Sequence, residues 1–120
     1  MRFIQEFGYS VKIGQEEAHQ RWVTENHERI AGACPPGSRY IGTFAVVFSS
    51  EKQAGYYRAL FELDSYAALD ASAAAGKDAS TEWAKVNREA SAFFDLAFDA
   101  PWSSGLLKNV VDATIWDPGS

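Results

Sequence analysis

A single cysteine, Cys34, excludes an internal disulfide and a cysteine-based zinc site. It precedes Pro35-Pro36-Gly37 without the adjacent basic residue that would generate a reactive thiolate, so it reads as inert. Basic residues are scarce: eleven stand against sixteen acidic ones, giving a net charge of -5 with no basic cluster. A phosphate backbone would be repelled, which argues against a nucleic-acid partner. No apolar run approaches the roughly 18 residues of a membrane-crossing helix, and the N-terminus shows no charged start followed by an apolar stretch. The expectation is a cytoplasmic protein without a membrane partner. Phosphate-binding glycine patterns (GxGxxG, GxxxxGKS/T) are missing, and so is the GxSxG nucleophile elbow. The two histidines, His19 and His27, fall eight residues apart on one predicted helix, about 12 Å along its axis, too far to share one ion. No metal and no cofactor is expected.

What the chain does contain is core material. Over 120 residues, 47% are hydrophobic, including eight Phe, five Tyr and four Trp. That suits one domain spanning residues 1–120 around a single core. The order of hydrophobic periods defines its class. An alternating run from Arg2 to Val11 leads into a helical run from Glu16 to Ala31. Alternating runs from Ser38 to Ser49 and Gly55 to Leu63 follow, then helical segments to about Phe98 and a last alternating run from Leu106 to Trp116. This is β-α-β-β-α-β, the split βαβ pattern of a ferredoxin-like α+β domain with a four-stranded antiparallel sheet.

In the first strand Phe3, Gln5, Phe7, Tyr9 and Val11 share one face. Gly14 supplies a turn, and Glu16 and Glu17 complement the positive end of the helix that follows. On that helix Ala18, Trp22, Val23, Asn26 and Ile30 form the inner stripe, while Glu17 with Arg21 and Glu25 with Arg29 are spaced as i, i+4 ion pairs. Gly32 and Cys34-Pro35-Pro36-Gly37 end it. The second strand places Tyr40, Phe44, Val46 and Phe48 on one side, yet Ile41, Ala45 and Val47 are apolar on the other. Two helices can cover only one face of a four-stranded sheet, so a second copy of the chain is the simplest cover for the other. Asp64 or Ser65 caps a helix from Tyr66 to Ala75, and a longer helix from about Ser80 to Phe98 carries Trp83, Val86, Asn87, Ala90, Phe94 and Ala97 along one stripe.

Three segments resemble a known family. They are Tyr9-Ser10-Val11-Lys12-Ile13-Gly14-Gln15-Glu16-Glu17, the helix bearing Trp22 and His27, and Gly37-Ser38-Arg39-Tyr40-Ile41-Gly42 leading into the second strand. These resemble the NIPSNAP-like proteins and, more broadly, the dimeric α+β barrel superfamily that includes antibiotic-biosynthesis monooxygenases. The resemblance implies a homodimeric barrel with the helices outside, a hydrophobic small-molecule ligand held between sheet and helices, and chemistry that needs no cofactor. Heme-degrading members of that superfamily pair an early-strand Asn with a Trp and a His on later helices. Here position 5 is Gln and the later helices have no histidine, so a heme role is not expected.

The candidate site is then a polar and aromatic group. His27 is the general-base candidate, since an imidazole titrates near neutrality and can accept a proton from a phenol, an enol or an activated carbon. The plainer reading leaves it bordering the helix surface, and His19 reads as a surface residue. Asn26, Tyr9 or Arg58 would hold the resulting anion. For Tyr9 the plainer alternative is a hydroxyl paired to backbone, and for Arg58 an ion pair with Glu62 or across a dimer. Gln5, Trp22, Phe44, Trp83 and Phe94 would bind substrate, although aromatic stripes at helical spacing also simply pack. Two functions remain. One is a cofactor-independent enzyme performing oxygenation, cyclisation or isomerisation on an aromatic or polyketide-like molecule, and the other is a non-catalytic binding or interaction domain of the NIPSNAP-like kind.

Overall fold

A computed structural model describes residues 2–50, 55–97 and 102–111. Its elements are β1 (Phe3–Tyr9), α1 (Glu16–Ala33), β2 (Ser38–Ala45), β3 (Tyr57–Leu63), α2 (Tyr66–Lys77), α3 (Glu82–Ser91) and β4 (Trp102–Lys108). The strands form one antiparallel sheet in the order β2-β3-β1-β4, the ferredoxin-like arrangement.

Register assigns the two faces of the sheet. Phe3, Gln5, Phe7 and Tyr9 lie opposite Leu63, Phe61, Ala59 and Tyr57. These residues look toward the helices. Phe3 and Leu63, each 1% exposed, pack with Ala68 of α2, and Tyr9, Val11 and Phe94 form a second buried cluster. Trp83 of α3 meets Phe61 edge-on at 5.4 Å between ring centres. The opposite face carries Ile4, Leu60 and Leu107 among ion pairs, Glu6 with Arg58 at 3.6 Å and Glu62 with Arg39 at 2.8 Å. The expected Arg58–Glu62 pair is therefore replaced by these two.

Strand β2 departs from simple alternation. Tyr40 pairs with Phe61 but Gly42 pairs with Leu60, so Ile41 is an extra residue in a bulge. A bulge shifts the face of everything after it. Thr43 and Ala45 join Tyr40 on the helix side, and Phe44, expected beside Tyr40, pairs with Arg58 and is 49% exposed. At the far end of the hairpin Gly55 has φ +80, and a Cβ there would sit 2.5 Å from the Tyr9 backbone carbonyl. Only glycine allows β3 to start this close to the end of β1.

Two further boundaries differ from expectation. α3 stops at Ser91, because Lys12 N–H donates to the Phe93 carbonyl and Asp95 N–H to the Ser10 carbonyl, which draws the chain into a bridge between Val11 and Phe94. β4 runs from Trp102 to Lys108 rather than beginning at Leu106, and residues 112–116 of the expected strand lie outside the described residues. Neither i, i+4 pair forms on α1. Arg29 instead reaches α3, holding Glu82 at 2.5 Å and Glu89 at 2.6 Å.

Candidate functional site

The centre of the site is His19, which the sequence pattern had placed at the surface. It is 2% exposed. Glu16, His19, Gln20 and Val23 follow one another at helical spacing on the face of α1 that leans over the β2–β3 edge of the sheet. Three aromatic rings enclose the imidazole: Tyr57 edge-on at 4.7 Å, Tyr9 at 5.5 Å and Phe93 at 5.6 Å between centres. Tyr9 is itself stacked on Phe94 at 4.5 Å and on Tyr57 at 5.7 Å.

Within this shell the Tyr9 hydroxyl and His19 Nε2 are 2.7 Å apart, a buried side-chain hydrogen bond. Tyr9 thus pairs with an imidazole and not with backbone. His19 Nδ1 is buried and has no hydrogen-bond partner among the described residues. Burial lowers the pKa of His19 from its ordinary value, so the ring is neutral near pH 7. Burial chiefly, helped by Tyr40 and Tyr57, raises the Tyr9 phenol, so it stays protonated. One neutral imidazole and one neutral phenol share a hydrogen bond, and the second ring nitrogen has nothing to bond.

Beside His19 lies a cavity of about 450 Å³ between α1 and the β2–β3 edge, bordered by Glu16, Glu17, His19, Val23, Thr43, Phe44 and Tyr57. That size lies within the range of small-molecule sites. Its wall mixes aromatic and aliphatic surface with the carboxylates of Glu16 and Glu17, the hydroxyls of Thr24, Thr43 and Tyr57, and the imidazole.

Of the residues singled out from sequence, Tyr9 lies in the buried cluster and Phe44 borders the cavity. Phe94 stacks behind Tyr9. Gln5 is half-buried on the helix side between Phe3 and Phe7. Trp22 bridges to α3, its Nε1–H donating to Glu89 Oε1 at 3.3 Å, and Trp83 packs on Phe61. Asn26 spends its amide locally, donating to the Trp22 carbonyl at 2.8 Å and accepting from Arg29. His27 is exposed, with Nδ1 2.9 Å from the Thr24 carbonyl. Arg58 donates to the Gly55 and Tyr57 carbonyls on the opposite face of the sheet. The structure therefore does not bring His27, Asn26 and Arg58 together with Tyr9.

Position on the helix was a usable signal for His19. It is in phase with Ile30, three turns on, and only about 20° from it around the axis, whereas His27 lies about 60° from Ile30 on the other side and about 80° from His19. Cys34 is half-buried and its thiol pKa is raised by burial, in keeping with an inert side chain. No group of three or more potential metal ligands occurs among the described residues. Among them, too, no helix is long and apolar enough to cross a membrane.

Solved structures share this architecture. The heme-degrader MhuD from Mycobacterium tuberculosis, determined with two hemes bound in its active site, matches with a TM-score of 0.50 at 15% identity, over 93% of this chain and 99% of its own. The two chains share an α+β ferredoxin-like fold. A protein of unknown function from Nitrosomonas europaea matches with a TM-score of 0.52 at 12% identity, over 97% of this chain and 96% of its own. At such identities the likeness is one of fold. No protein-family profile matches the chain, and no curated protein matches it. Similarity to the NIPSNAP-like proteins rests on the motif residues alone.

Proposed function

We propose that the protein is a cofactor-independent enzyme that admits an aromatic or polyketide-like small molecule to the cavity beside α1 and removes a proton from it with His19. The observation that carries this reading is the buried Tyr9–His19 pair at the cavity, with one imidazole nitrogen engaged and the other without a partner. A buried polar atom left unpaired costs about 1–3 kcal/mol, a cost that a bound substrate would relieve.

The chemistry follows from the tautomers. With the hydrogen on Nε2, that N–H donates to the Tyr9 oxygen and Nδ1 presents the lone pair that accepts a proton from a phenol, an enol or an activated carbon. With the hydrogen on Nδ1, Tyr9 donates to Nε2 and Nδ1–H donates to a substrate oxygen. Lowering of the His19 pKa keeps the base form populated at neutral pH. The electron pair stays on the substrate as a phenolate or enolate. That anion can cyclise, isomerise or give electrons to dioxygen, so the mechanism asks for no flavin. The base is thus His19 in place of His27, and Tyr9 positions it. Asn26 and Arg58, committed to other partners, carry no step.

The proposed working unit is a homodimer joined through the outer sheet face. Ile4 and Leu60 are half-buried there, Leu107 is 55% exposed, and Glu62 Oε2 is buried without a partner among the described residues. A second sheet would cover all four.

A thermal-shift screen against phenols, quinones and polyketide mimics identifies ligands, and turnover of the best is then measured in wild type and in His19→Gln. Gln keeps a polar group beside Tyr9 but supplies no base. The expected result is a folded variant with kcat lower by about 10² or more. Turnover at the wild-type rate contradicts the assignment of the base. Binding with no turnover by either protein leaves the non-catalytic binding domain as the function.

A further inference from the structure

The cavity carries a charge bias that points to a ligand class. Glu16 and Glu17 border it and, among the described residues, no Lys or Arg does. Glu16 Oε2 already accepts the Gly14 N–H at 2.9 Å, while Glu17 is exposed and belongs to none of the ion pairs among the described residues. Acidic residues in a first helical turn offset the helix dipole, which alone would account for them. The second observation is His19, 2% exposed, which borders the same cavity and leaves Nδ1 unpartnered. Phe44 and Tyr57 also border the cavity and add aromatic surface.

We infer that the cavity takes a cationic aromatic ligand, a phenol or enol bearing a protonated amine, with its hydroxyl at His19 and its ammonium at Glu16 and Glu17. This rests on the site reading above and specifies its substrate class. Two full negative charges outweigh the roughly half positive charge of the helix N-terminus. An anionic ligand, a porphyrin dicarboxylate included, meets like charge with no counter-ion among the described lining residues. Because the carboxylates are solvated, each contributes modestly, about two- to fivefold in affinity, and salt weakens the effect.

The test uses three probes alike in ring and hydroxyl and different in charge: tyramine, 4-methylphenol and 4-hydroxyphenylacetate. Their affinities are measured by calorimetry at low and high salt, and the His19 ring resonances report where they bind. Tyramine is expected to bind about tenfold more tightly than 4-hydroxyphenylacetate at low salt. The Glu16→Gln, Glu17→Gln double variant should bring the two within about twofold, and Glu17→Gln alone should fall between, which guards against a folding defect in the double variant. Equal affinities, or tighter binding of the carboxylate, with the His19 resonances shifting, overturn the ligand class and leave the site intact. Failure of all three probes to move those resonances overturns the ligand class and the site together.

Discussion

Enclosing an imidazole in aromatic rings makes its contribution to stability depend on pH. Burial lowers the folded-state pKa of His19 below the ordinary 6.5, so in the unfolded chain this residue takes up a proton first as the solution is acidified. Its contribution is complete above pH 6.5, declines as pH falls through that value, and levels off once the folded imidazole also protonates. Melting temperatures measured on both sides of that value should fall more steeply toward acid for wild type than for His19→Gln. An identical slope in the two proteins would place the pH sensitivity elsewhere. At this scale the sequence was only partly legible. Tyr9 could be assigned to the buried face of β1 by alternation, and the phase of His19 with Ile30 was available. What could not be read was the closure over His19, because Phe93 and Tyr57 arrive from distant elements.

Helices and strands were legible where one period ran uninterrupted, as in β1, α1 and β3. They failed where a tertiary contact overrode the period. A helical stripe from Ser80 to Phe98 gives no sign that two backbone hydrogen bonds to the end of β1 will capture Phe93 and Asp95. Likewise, nothing in the alternation of β2 reveals the extra residue at Ile41. The junction between α2 and α3 is set by a single side chain. Thr81 Oγ1 accepts the Ala84 N–H at 3.1 Å and donates toward the Ala75 carbonyl at 2.6 Å, joining the end of one helix to the start of the next. Thr81→Ala should therefore cost about 1–2 kcal/mol in urea unfolding, and Thr81→Ser much less. Equal losses for both substitutions would shift the cause from the hydroxyl to the methyl group.

For the whole molecule, the ferredoxin-like class followed from element order, while the second face of the sheet followed from composition. That face proves to be mixed, with apolar Ile4, Leu60 and Leu107 set among the Glu6–Arg58 and Arg39–Glu62 pairs. A homodimer formed through it should be seen by sedimentation at micromolar concentration, and Leu60→Glu should give monomer by adding a third carboxylate beside Glu6 and Glu62. A stable wild-type monomer would remove the dimer from the account. The central claim is more local: His19, not His27, meets the ligand. With only two histidines in the chain, a ring nitrogen NMR spectrum contains two imidazoles, assigned by comparison with His27→Gln. Adding the best ligand from the screen is predicted to shift the His19 nitrogens, Nδ1 most, and to leave those of His27 in place. A ligand that binds without moving His19, or that moves His27 instead, would contradict it.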